Sequence, residues 1–160
     1  MPAGENTLRQ AGAIVYRTIE NEVRVLLVTS RDTGRWVIPK GHIDAGLTPA
    51  QAAAREAYEE AGIKGTIRAS FPLGFFSYFK KLRSGKVQAT MVEVYLIRAD
   101  KQLKKWPERG QRRMSWVPAM EAARLVDEPS LARLFGRLLE IAGIEPNLDG
   151  PVPTIARRSK

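Results

Sequence analysis

Glu56, Glu59 and Glu60 stand in the last turns of a helical segment that stops at Gly62. At 3.6 residues per turn, Glu59 lies about 60° around the helix from Glu56 on one side and Glu60 about 40° on the other. Carboxylates at i, i+3 and i, i+4 oppose helix formation by roughly 0.2–0.5 kcal/mol per pair. The helix dipole also disfavours anions at this end. A helix that needed only solvation would carry lysines here, and a bound cation is the simplest compensation. Such a cation neutralises phosphate oxygens and acidifies water. Read alone, the REAYEE string is better explained as an acidic surface helix, with Arg55 and Glu59 as an ordinary i, i+4 pair. The preceding WVIPKGHIDAG, a tight and basic approach to the same helix, moves the balance towards a site.

The elements that must position these glutamates are legible. Thr48 caps the helix, Pro49 suits its first position, and Gln51 completes a capping box with Thr48. Gly62 is a left-handed stop. Ala50, Ala53, Ala54, Ala57 and Ala61 leave one side small enough to pack closely on a sheet. Strands are expected over Ala11–Arg17 and Val23–Thr29, joined by a polar turn around Glu20–Glu22, with a short strand over Arg35–Pro39 feeding the loop. Thr66–Phe79 and Lys86–Arg98 read as two longer strands around an Arg83-Ser84-Gly85 turn, and Met114–Val117 as a further short one. Helices are expected over Pro118–Val126 and Ser130–Ala142. The alternation suits an α/β/α sandwich with a mixed β-sheet, forming one domain over residues 1–144. The proline-rich remainder, 145–160, is expected to be a flexible tail.

A chain of 160 residues suits one domain that buries roughly 70% of its unfolded surface. The absence of cysteine excludes disulfides and thiolate metal sites. No apolar run reaches the roughly 18 residues that a membrane span needs, and MPAGENTLRQ lacks a signal-peptide core, so a soluble, cytoplasmic protein with no membrane partner is expected. Lys and Arg number 26 against 17 Asp and Glu, giving a net charge of +9 and a pI of about 10.2. That excess favours polyanions. Nucleic acid is one candidate, but a small, highly phosphorylated substrate satisfies the same electrostatics and suits a glutamate-rich helix better.

Three segments bear on such a substrate. Ser30 and Arg31, in TSRDTGRW, offer a hydroxyl and a guanidinium at a strand end. Alone, that string is better read as a surface turn built on Asp32-Thr33-Gly34. A Walker-type phosphate loop is excluded, because its second glycine falls on Pro39. Lys40, in PKGH, is a point charge suited to phosphate, and His42 is the chain's single histidine. KKWPERGQRRMSW is a basic, aromatic-flanked segment, more often an exposed loop entering a strand than a phosphate or base contact.

The stretch from Gly41 to Ile63 resembles the Nudix box, G-x5-E-x7-R-E-U-x-E-E-x-G-U with U apolar. Gly41, Arg55, Glu56, Glu59, Glu60, Gly62 and Ile63 match it, whereas Leu47 replaces the first glutamate and Ala57 is a small first U. RQAGAIVYR, TSRDTGRWVIPKGH and the W-P-E…R-R-M-S-W stretch add a weaker likeness to the diphosphoinositol polyphosphate and diadenosine polyphosphate phosphohydrolases. The resemblance implies an α/β/α Nudix fold and a Mg²⁺- or Mn²⁺-dependent pyrophosphohydrolase. Its expected substrates are dinucleoside polyphosphates or diphosphoinositol polyphosphates. The alternatives are removal of pyrophosphate from RNA 5′ ends and a non-catalytic phosphate- or nucleic-acid-binding module. By the same resemblance, Glu56 and Glu60 are metal ligands, assisted by the carbonyl of Gly41 or Lys40, and Glu59 is the general base. Arg55, deprived of the missing glutamate, needs Glu59 or Asp44 as partner. Arg9, Ser30, Arg31, Lys40, His42 and Arg113 are assigned to phosphates, with Arg112 interchangeable with its neighbour. Glu93 is an alternative base or ligand, although an outward-facing strand position is the favoured reading of it. The oligomeric state is left open.

Overall fold

The protein is described by a computed structural model covering residues 7–144. Its elements, in chain order, are β1 (Leu8–Ile19), β2 (Glu22–Thr29), β3 (Trp36–Val37), β4 (Lys40–His42), α1 (Pro49–Ala61), β5 (Ile63–Ile67), β6 (Gly74–Lys81), β7 (Val87–Gln102), β8 (Met114–Pro118), α2 (Ala119–Leu125) and α3 (Pro129–Ile144). All eight strands join one mixed sheet. The tail expected from residue 145 onward lies outside the described residues.

Strand β1 organises the sheet. It runs parallel to β7, from Leu8 opposite Thr90 to Tyr16 opposite Arg98. Its other edge is shared by β4 near Gln10–Gly12 and by β2 from Tyr16 onward, both antiparallel. Every residue from Gln10 to Tyr16 is buried, and Gly12 has no room for a side chain, since a Cβ would lie 2.9 Å from Val92. Such a strand must be covered on both faces. Helix α1 packs against β1, β4, β5 and β7, and α2 and α3 pack together against β2, β8 and β6. The buried Ala52, Ala53, Ala57 and Ala61 let α1 lie close on the sheet.

Two expectations are corrected. The strand expected over Thr66–Phe79 is two strands, β5 and β6, laid end to end on one edge of β7. Residues 68–73 loop out between them. The Arg68 N–H donates to the Leu96 carbonyl at 3.0 Å, and the Leu73 N–H to the Val94 carbonyl at 2.7 Å. Pro72, just before the chain rejoins the edge at Leu73, has no N–H to give a ladder. Secondly, Lys40–His42, expected as loop, forms strand β4, while the strand expected over Arg35–Pro39 shortens to Trp36–Val37. The β4 pairing fixes Gly41 opposite Ala11, under the glutamate helix.

Candidate active site

The glutamates stand on a helix whose ends are tightly satisfied. Thr48 Oγ1 accepts from the Gln51 N–H at 3.1 Å, and the Gln51 side chain accepts from the Thr48 N–H at 2.9 Å. At the other end, Gly62 adopts φ 68°, and a Cβ there would also run into the Trp106 ring. The segment after β7 then supplies donors to the helix's last carbonyls. Leu103 N–H donates to Gly62 O at 2.8 Å, Gln102 Nε2 to Ala61 O at 2.9 Å, and Glu108 N–H to Glu59 O at 3.0 Å. These donors offset the negative helix end where the glutamates are crowded.

Glu56 and Glu60 are buried, at 7% and 6% exposure. The Glu56 carboxyl lies against Gly41, where a Cβ would overlap its Cδ. Glycine is needed for this approach. Burial raises both carboxyls above their ordinary value, and that of Glu60 is pushed to about 8, with Glu56 beside it adding to the shift and Arg112 and Lys40 opposing it. The two titrate as a pair. Glu59 is turned outward, its carboxylate 3.5 Å from Arg55 Nε.

Arg55 has the partner it needs. Its guanidinium pairs with Asp44, holding that carboxyl below its usual range. The brace that Leu47 cannot provide thus comes from Asp44, while Leu47 packs against the core. Lys40 lies 4.5 Å from the Tyr78 ring centroid, and its pKa is lowered by burial, with Glu60 and Glu128 resisting the shift. Arg112 donates to Glu108 and to the Thr29 carbonyl, each at 3.0 Å, and stands 3.5 Å from Glu60.

A cavity of about 370 Å³ opens over the pair. It brings together Ser30, Arg31, Lys40, Gly41, His42, Arg55, Glu56, Glu60 and Arg112, drawn from separate stretches of chain. Ser30 also serves the turn foreseen for it, its carbonyl accepting from the Gly34 N–H at 2.8 Å. Arg31 donates to Gln111 at 2.9 Å. Glu59, Arg9 and Arg113 do not line the cavity. The Arg113 guanidinium lies 5.1 Å from the Trp36 ring centroid, so Arg113 and the cavity-lining Arg112 are not interchangeable. Arg9 pairs with Glu93. The outward-facing position favoured for Glu93 is overturned: it is only 6% exposed, and it accepts the Tyr95 hydroxyl at 3.1 Å. Glu93 also lies outside the cavity lining.

Four lining residues, Gln10, Tyr78, Lys80 and Glu108, are not singled out in the sequence, although Gln10 and Glu108 fall within the RQAGAIVYR and W-P-E…R-R-M-S-W stretches. Tyr78 donates to Gln10 at 3.0 Å, and burial pushes its pKa to about 12. Glu108 carried one signal, its i, i+4 spacing from Arg112, hidden in a segment read for its cations.

Among the described residues, no three His, Asp or Glu side chains converge as a closed metal cage. The donor set is two buried carboxylates, that of Glu56 lying against Gly41. That set fits a hard divalent cation that keeps water and substrate oxygens in its remaining positions.

An α/β/α sandwich with a buried carboxylate pair beneath a cation-rich cleft defines a phosphate-directed site. The chain belongs to the Nudix family: the NUDIX domain model matches residues 8–138. Nudix enzymes generally use divalent metal ions. Nudix hydrolase 12, mitochondrial, of Arabidopsis thaliana is 31% identical over 145 residues, covering 88% of this chain and 70% of the relative. Nudix hydrolase 13, mitochondrial, of the same plant is 32% identical over 132 residues, covering 72% of this chain and 65% of its own. Human diphosphoinositol polyphosphate phosphohydrolase 3-alpha is 42% identical over 64 residues, 39% of this chain and 38% of that one. A C. elegans Ap4A hydrolase in a binary complex shares the fold, with a TM-score of 0.64 at 23% identity over 86% of this chain and 98% of its own.

Proposed function

We propose that the protein is a Mg²⁺- or Mn²⁺-dependent pyrophosphohydrolase that cleaves a phosphoanhydride bond, with dinucleoside polyphosphates as leading substrates and diphosphoinositol polyphosphates next. The observation that carries this reading is the buried Glu56–Glu60 pair, with Glu56 seated on Gly41, in the lining of a cavity that also holds Lys40, Arg31, Lys80 and Arg112. A row of cations suits a chain of phosphates better than a single one. The human relative named for diphosphoinositol polyphosphates and the fold neighbour named for Ap4A support the same substrate range.

Glu56 and Glu60 would hold the cation, with the Gly41 or Lys40 carbonyl assisting. When bound, it supplies charge neutralisation and a more acidic water. Lys40 and Arg31 draw the phosphate chain in and orient it, with Ser30 and His42 at the same wall. Arg112, fixed by Glu108 and Thr29, keeps positive charge beside Glu60. Glu59, paired with Arg55 beside the cavity-lining Glu60 on α1, is assigned to accept the proton from the attacking water, although it does not itself line the cavity.

The test is release of phosphate or nucleotide from a panel of diadenosine polyphosphates, diphosphoinositol polyphosphates, ADP-ribose, nucleoside triphosphates and 5′-triphosphorylated RNA, with and without Mg²⁺ or Mn²⁺. Metal-dependent turnover of the first two classes is expected. Turnover of RNA ends alone would reassign the substrate, and no turnover in any arm would reject the enzyme.

A further inference from the structure

Between Glu60 and Glu93 the chain carries no acidic residue but holds Lys64, Arg68, Lys80, Lys81, Arg83 and Lys86. Lys81, Arg83 and Lys86 surround the turn joining β6 to β7, while Lys80, on the opposite face of β6, lines the cavity. One face of this hairpin carries Phe75 and Phe79 from β6 and Val87 and Met91 from β7, which are 48%, 75%, 65% and 42% exposed. The register puts them on one face as diagonal neighbours, with Phe75 opposite the buried Glu93, Phe79 opposite Ala89, Met91 opposite Ser77 and Val87 opposite Lys81. The other face holds the buried Phe76 and packs under α3. A sheet face open to water ordinarily carries polar side chains, so this apolar face calls for an occupant.

We propose that the β6–β7 face binds single-stranded nucleic acid, with bases stacked on Phe75 and Phe79 and phosphodiesters held by the lysines and arginine of the turn. Exposed aromatic rings beside a cluster of cations meet the two needs of a sequence-tolerant strand-binding surface. The relief of the molecule favours a strand over a bilayer. Gly41 pairs with Ala11, two residues from Arg9 and so on the same face of β1, and Glu56 of α1 lies directly against Gly41. Arg9 is in turn opposite Met91, so α1 rises from the same face as the apolar patch. A helix stands roughly 10 Å above its sheet; beside that ridge a flexible strand can lie on the shelf, whereas a flat membrane is held off Phe75 and Met91.

The surface is separate from the cavity, and its test does not require catalysis. Fluorescence anisotropy is read with a labelled 5′-hydroxyl heptauridylate and with an abasic phosphodiester of the same length, in EDTA. Heptauridylate is expected to bind at least about tenfold more tightly than the abasic strand. F75A/F79A should abolish that preference at unchanged melting temperature. K81A/K86A should lower the slope of log affinity against log salt by about 0.7 for each phosphate that is no longer neutralised. E60Q should bind like the unaltered protein, which separates this surface from the hydrolytic reading. Equal binding of both strands, or a base preference untouched by F75A/F79A, would overturn the proposal. So would sedimentation with phosphatidylserine vesicles in place of oligonucleotide binding, which would make the face a membrane contact.

Discussion

Gly41 and Glu60 carry the most specific consequences at the scale of single residues. A methyl group at position 41 would enter the Glu56 carboxyl, so Gly41→Ala should weaken Mn²⁺ binding in a titration by at least about tenfold while the circular dichroism spectrum stays native. Glu60 titrates near 8 rather than at the ordinary 4.5. Because the folded carboxyl holds its proton more firmly than the unfolded one, the metal-free protein should lose stability as pH rises between those values. Denaturant midpoints across that window should fall, and Glu60→Gln should flatten the fall. Bound metal requires the ionised pair, so its affinity should rise with pH up to about 8 in the same buffers. Leu47 is a residue whose effect the structure reduces. Asp44 already pairs with Arg55, so Leu47→Glu should change turnover little in an initial-rate assay, whereas Asp44→Ala should lower it clearly.

The elements that position the site were legible where their signals were local. Thr48, Gln51 and Gly62 announce α1 from within about fifteen residues of one another, and the structure uses all three. Glu20 and Asn21, at φ 52° and 67°, make the tight turn that polar residues between two apolar runs suggested. Strands set by distant partners were not legible. Strand β4 has three residues and exists because Ala11 lies opposite Gly41. The division of β5 from β6 follows from both using one edge of β7, with Pro72 in the looped-out segment. Likewise Glu108 and Trp106 reach the site only because the segment after β7 folds back on the end of α1. That segment has its own testable consequence. Trp106 fills the space above Gly62 and is only partly buried, so Trp106→Ala should cost about 2 kcal/mol in denaturant unfolding, below the loss for a fully buried tryptophan. It should also weaken metal binding, since the glutamate-bearing turn loses its cover.

Across the whole molecule, the charge of +9 is spread unevenly. Part of it faces the cavity through Arg31, Lys40, Lys80 and Arg112, and part collects at the β6–β7 turn. The two surfaces should respond differently to salt. Binding on the open hairpin should fall steeply with ionic strength, while pairs inside the cavity are screened less. The central claim concerns the cavity: the buried Glu56–Glu60 pair is the cation seat of a phosphoanhydride hydrolase. Its most direct test is nucleotide release from diadenosine tetraphosphate by the unaltered protein and by Glu60→Gln, each with and without Mg²⁺. The account predicts release that requires the metal and falls by orders of magnitude in Glu60→Gln while the variant stays folded. Release of equal rate from both proteins, or release indifferent to metal, would contradict it.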